Sequence, residues 1–89
     1  MFSVRLLKNA IRQLRKLDPP VARRIVGRIK WLSEHSDEIV PEPMGGDLAG
    51  LFKCREGDYR TLYEPLHEEE VIVVYEIGHR RVIYKSRRS

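Results

Sequence analysis

Lys53 and Arg60, in the stretch LFKCREGDYRTLYEP, are the side chains best placed for chemistry on an anion. Apolar and polar residues alternate on both sides of Glu56-Gly57, which reads as two strands joined by a tight turn. With Glu56-Gly57 as a two-residue turn, Arg55 falls opposite Asp58, Lys53 opposite Arg60, and Leu51 opposite Leu62. Directly opposed residues share a face about 5 Å apart, so two cations become neighbours. Like charges placed this way are destabilising, and a bound anion relieves them. Two alternatives stand beside that reading: the flexible ends splay into solvent, or Glu64 and Asp58 neutralise the pair. A bulge or longer turn also undoes the pairing.

The last apolar run, RVIYK at 81–85, adds a second set. Read as a strand, it points Arg80, Val82 and Tyr84 one way. If this strand pairs with 71–77, Arg80 and Tyr84 frame the same patch as Lys53 and Arg60. Cations for phosphates and a ring for a base are the means by which proteins handle RNA. Arg55, His79, Arg81 and Lys85 flank this patch and extend it as candidate RNA contacts. The three histidines lack metal-ligand spacing, Glu68-Glu69-Glu70 reads as a solvated hairpin tip, and no metal or cofactor is expected. No phosphate-binding GxxxxGK[ST] and no nucleophile elbow occurs.

The elements that must position these side chains follow from periodicity. Residues 2–7 read as a short strand. Leu7, Ala10, Ile11, Leu14 and Leu17 then recur at helical spacing, with Arg12, Arg15 and Lys16 off the stripe. Asp18-Pro19-Pro20 ends this helix and starts a second, with Asp18 as its N-cap. Ala22, Ile25, Val26, Ile29 and Leu32 make the second stripe. The connection is short, so the helices form an antiparallel hairpin. Residues 36–50, with Pro41, Pro43 and three glycines, read as loop. Four strands are expected after it: 51–55, 58–66, 71–77 and 81–85. The fold expected is α+β, in the order β-α-α-β-β-β-β, with a helical hairpin on one face of a small antiparallel sheet.

Eighty-nine residues allow one domain, 1–89. The one cysteine, Cys54, excludes an intrachain disulfide and alternates with Lys53, so it is expected to face the core. Trp31, on the helix edge, either anchors a partner or packs on the proline-rich loop. No apolar run approaches the roughly 20 residues of a membrane helix, and the N-terminal stretch is too charged for a signal peptide, so a cytoplasmic protein is expected. Seventeen basic residues face thirteen acidic ones, and arginine predominates. The basic excess sits in residues 1–35 and 71–89, while 36–70 is acidic. If the two ends meet in space, they make a surface suited to a polyanion.

The ordered pieces G-D-L-A-G-L, R-x-G-D-Y-R-x-L-Y-E and G-H-R-R-x-x-Y, preceded by the K-L-D-P junction, resemble the RelE-type toxins of the RelE/ParE superfamily. The resemblance spans essentially the whole chain. It implies a type II toxin that enters the ribosomal A site, cuts the bound mRNA, and is blocked by a cognate antitoxin protein. It matches the family's catalytic positions to Lys53, Arg60, Arg80 and Tyr84. Leu51 stands where the best-known members carry a further lysine. ParE-type relatives, which poison DNA gyrase without nuclease chemistry, and an inactive antitoxin-binding relative are the alternatives.

Overall fold

The structure, a computed structural model, describes residues 1–86 and the side chains of residues 1–83. The chain runs β1 (Ser3–Leu6), α1 (Lys8–Arg15), α2 (Pro19–Glu34), β2 (Glu42–Pro43), β3 (Phe52–Glu56), β4 (Tyr59–Leu66), β5 (Val71–His79) and α3 (Arg80–Ser86). The expected helical hairpin and α+β class are present. Pro19 and Pro20 open α2, where a missing N–H costs nothing. Asp18 occupies the N-cap position, but its side chain makes no capping hydrogen bond.

The strands form one sheet in the order β1-β5-β4-β3-β2. It is mixed rather than wholly antiparallel, because β1 pairs with β5 in parallel. A helical hairpin between β1 and the rest of the sheet supplies the long connection a parallel pair requires. Residues 36–50, expected as loop, contain the two-residue β2 and a 3₁₀ turn at Gly46–Leu48. Glu42 precedes a proline, which biases it to extended backbone, and it pairs opposite Lys53.

The β3–β4 turn is Gly57-Asp58, one position later than expected. Arg55 therefore lies opposite Arg60, and Lys53 opposite Leu62. The reason is backbone sterics. Gly57 has φ +60°, the left-handed value that the first central residue of such a hairpin needs. A turn centred on Glu56 would put a side chain in that position. The change of partner is two residues, so strand parity survives and Lys53, Arg55 and Arg60 share one face.

The opposite face carries the core. Ala10, Ile25, Ile29 and Leu32 of the helices pack on Cys54, Tyr63, Ile72, Val74 and Ile77 of the sheet, with Phe2 closing one end. Cys54 is buried there as expected, and desolvation raises its thiol pKa. A bulge between Leu62 and Tyr63, where Tyr75 of β5 is the extra residue, shifts the β4–β5 register. Gln13 of α1 accepts a hydrogen bond from the Ile77 amide at 2.7 Å, tying α1 to β5. Trp31 lies between the Arg28 guanidinium, 4.5 Å from its ring centroid, and the stacked His35 ring at 4.4 Å. It lines a small cavity with Ile39, Val40 and Pro41 and so packs against the proline-rich loop.

The final run is a helix, not a strand. His79 pairs with Tyr59, the first residue of β4, so the chain beyond it has no partner strand. The Arg80 amide bonds the Asp58 carbonyl at 2.8 Å, and the Arg81 amide bonds His79 Nδ1 at 3.2 Å, starting α3. The helix turns back over the sheet face opposite α1 and α2. Ile83 is 2% exposed and lies so close to Gly78 that a Cβ there would meet its Cγ1 at 3.2 Å. Arg80 and Val82 therefore do not point one way, since helical residues two apart diverge.

Two stability effects are expected. Ile83→Ala should cost about 2–4 kcal/mol in urea unfolding and raise amide exchange in α3. Burial pushes the Tyr63 hydroxyl up to about 12. The unfolded tyrosine ionises near 10, so Tyr63 favours the folded state below pH 10 and that advantage is lost between about pH 10 and 12. Tyr63→Phe should flatten the alkaline limb of a stability–pH curve over that window.

Candidate nucleic-acid interface

Lys53 and Arg55 on β3, Arg60 on β4, and Arg80 and Arg81 at the start of α3 line one open concavity. It lies on the face of the sheet turned away from α1 and α2. Hairpin parity brings the first three together. The Asp58–Arg80 backbone contact brings the last two beside the hairpin turn. Five formal positive charges from three elements thus share one surface, with no acidic side chain among its lining residues.

The charges are held differently. Arg60 is 8% exposed, and its Nη1 donates to the carbonyls of Gly57 and Tyr59 at 2.8 and 2.9 Å. Its Nε is buried with no hydrogen-bond partner, and among the described residues no carboxylate lies within ion-pair distance of it. A buried cation without a counter-ion is costly, so proteins seldom keep one for stability alone. Arg80 Nε lies 3.8 Å from Asp58 Oδ1, an exposed and weak pair. Arg55 and Lys53 both reach Glu42 Oε2, at 2.9 and 3.9 Å.

Of the residues expected at the site, Lys53, Arg55, Arg60, Arg80 and Arg81 come together. His79 does not line the concavity. Its ring packs edge-on to Tyr59 at 5.6 Å, and its Nδ1 caps α3. Tyr84 and Lys85 lie on α3, and their side chains fall outside the described residues. The neutralising acids expected for the Lys53–Arg60 pair are also different. Glu64 accepts a 2.7 Å hydrogen bond from the Tyr75 hydroxyl, which raises the pKa of that phenol. Glu42 was the residue missed. Its position before Pro43 signals extended backbone, but nothing local indicates which strand it joins. Among the described residues no three His, Cys, Asp or Glu side chains cluster closely enough to hold a metal ion.

A family model described as the ParE toxin of the type II toxin–antitoxin system parDE matches residues 4–84. The chain belongs to the RelE/ParE toxin superfamily. It is 32% identical over 84 residues to Toxin RelG of Mycobacterium tuberculosis, covering 94% of this chain and 97% of that one. The toxin–antitoxin complex RelBE2 of the same organism matches with a TM-score of 0.79 and 34% identity, covering 89% of this chain and 98% of that one. The isolated RelE toxin of E. coli shares the fold at TM-score 0.74 and 18% identity, covering 97% and 99% of the two chains. In this type II toxin Leu51 precedes β3, its carbonyl bonded by the Met44 amide at 2.9 Å, and contributes no charge to the concavity.

A free anion reads out this surface. Inorganic phosphate at about ten times its dissociation constant should stabilise the toxin by about 1.4 kcal/mol, raising Tm by roughly 6–11 °C. Arg60→Met should raise the anion-free Tm, because an apolar chain replaces an unpaired buried charge. The same variant should lose most of the phosphate-induced shift.

Proposed function

We propose that this toxin is a ribosome-dependent mRNA endonuclease that inhibits translation, needs no metal, and is held inactive by a cognate antitoxin. The observation that carries the reading is Arg60: a buried cation in no ion pair with a described carboxylate, one of five cations lining one concave face. Similarity to Toxin RelG and to the RelBE2 toxin–antitoxin complex supports the toxin role and the antitoxin partner.

RNA carries its own nucleophile, the 2′-OH beside the scissile phosphate. Its oxygen attacks phosphorus, the bond to the 5′-oxygen breaks, and the products are a 2′,3′-cyclic phosphate and a 5′-OH. The reaction requires removal of the 2′-OH proton, stabilisation of charge on the non-bridging oxygens, and protonation of the departing 5′-oxygen. Arginine does not act as a base, since it stays protonated. Arg60 and Arg80 are therefore assigned to the transition-state charge. Lys53 is the candidate base. Tyr84 is assigned to orient the 2′-OH or stack on a base, and Arg80 to assist the leaving oxygen. Arg55, Arg81 and Lys85 hold flanking phosphates. His79, with Nδ1 engaged at the α3 start, supports the site by positioning Arg80 and Arg81.

A ParE-like action on DNA gyrase is the second reading, supported by the family model matched and by Leu51 in place of a lysine. Purified ribosomes programmed with a defined mRNA separate the two. Codon-positioned cuts that persist in EDTA support the nuclease, and gyrase-dependent DNA breaks support the alternative. Arg60→Ala should lower the single-turnover cleavage rate about 10²–10³-fold while changing ribosome binding far less. Wild-type cleavage by ribosome-bound Arg60→Ala would sink the assignment.

A further inference from the structure

Among the described residues, one carboxylate pairs with both Lys53 and Arg55 on the cationic face. Glu42 enters from β2, a strand of two residues at the sheet edge, and pairs directly opposite Lys53. That register turns its side chain onto the same face as Lys53 and Arg55. One carboxylate oxygen, Oε2, takes both cations: Arg55 Nη2 at 2.9 Å and Lys53 Nζ at 3.9 Å. A single non-bridging phosphate oxygen would make the same two contacts.

The contact is a poor structural clasp. The Glu42 side chain is 47% exposed and that of Arg55 55%, and exposed pairs contribute only about 0–1 kcal/mol. Backbone pairing with β3, continued by the Met44–Leu51 hydrogen bond, holds β2 in place independently of the carboxylate. Its consequence for a ligand is larger. Any phosphate arriving at Lys53 and Arg55 must displace Glu42 or share the cations with a negative charge.

We propose that Glu42 is an internal counter-ion that occupies a phosphate position at Lys53 and Arg55 and is displaced when substrate RNA enters. The inference rests on the RNA-cleaving reading above. It makes Glu42 a specificity determinant. Free RNA, which brings phosphate contacts alone, is penalised by the carboxylate. RNA presented on a ribosome brings further contacts that offset the displacement. Arg60, buried and in no ion pair with a described carboxylate, stays ready for the scissile phosphate throughout.

The test is binding of a fluorescent, uncleavable 2′-O-methyl oligonucleotide, followed by anisotropy across a salt series. Glu42→Gln keeps the shape of the side chain and removes its charge. One additional phosphate contact steepens the log–log salt dependence by about 0.7, and so tightens binding about fivefold near 0.1 M salt. Glu68→Gln, in the exposed β4–β5 turn, removes the same net charge away from the site and should produce little of either effect. Adding Arg55→Gln to Glu42→Gln should cancel most of the gain. Equal effects of Glu42→Gln and Glu68→Gln, or an unchanged slope in Glu42→Gln, would overturn the inference while leaving the RNA reading intact. Absence of salt-dependent binding in wild type and variant alike would overturn both.

Discussion

The register of the β3–β4 hairpin is set at Gly57, whose positive φ lets the chain reverse in two residues. Everything on the cationic face depends on that reversal. It places Arg60 opposite Arg55 and diagonal to Lys53, and it leaves the Asp58 carbonyl free to receive the Arg80 amide. A one-residue slip would send Lys53 and Arg55 to the core side and bring Cys54 out, exchanging an apolar face for a charged one. The core therefore enforces the register as firmly as the turn does. Cys54 and Tyr63 must lie under α2, and their burial holds the cations outside.

A sheet with cations stacked on one face bears a standing electrostatic cost, and the structure offsets it only in part. Glu42 and Asp58 each approach the rim from exposed positions where screening is strong. Arg60, the most buried of the five, donates to backbone carbonyls and, among the described residues, pairs with no carboxylate. Carbonyl dipoles orient the guanidinium without cancelling its charge, so its field remains directed at whatever anion enters. Such preorganisation is effective in a site where charge develops during reaction, because no reorganisation is needed at that moment. Stability comes from the other face, where the helical hairpin buries its stripes against the sheet.

α3 links the two roles of the chain end. A strand needs a partner, and beyond His79 there is none. The helix satisfies its own backbone and returns over the open face, where Gly78 leaves room for Ile83. Arg80 and Arg81 reach the concavity because the first turn of α3 is tied to the hairpin through Asp58 and His79.

Much of this was legible from residue patterns alone. The helical stripes, the strands around Gly57 and the basic character of Lys53, Arg55, Arg60, Arg80 and Arg81 are local properties, because periodicity, turn chemistry and charge reside in short windows. Even with the turn misplaced by one residue, the shared face of Lys53 and Arg60 was recoverable, since strand parity has period two. Tertiary structure decided the rest. RVIYK has the composition of a strand, yet the absence of a partner beyond Tyr59 made it a helix. The parallel pairing of β1 with β5 and the arrival of Glu42 beside Lys53 join segments that are far apart in sequence or lack a periodic signal. Which partner a segment finds is a property of the assembled sheet, and that is where the charge balance of the site was settled.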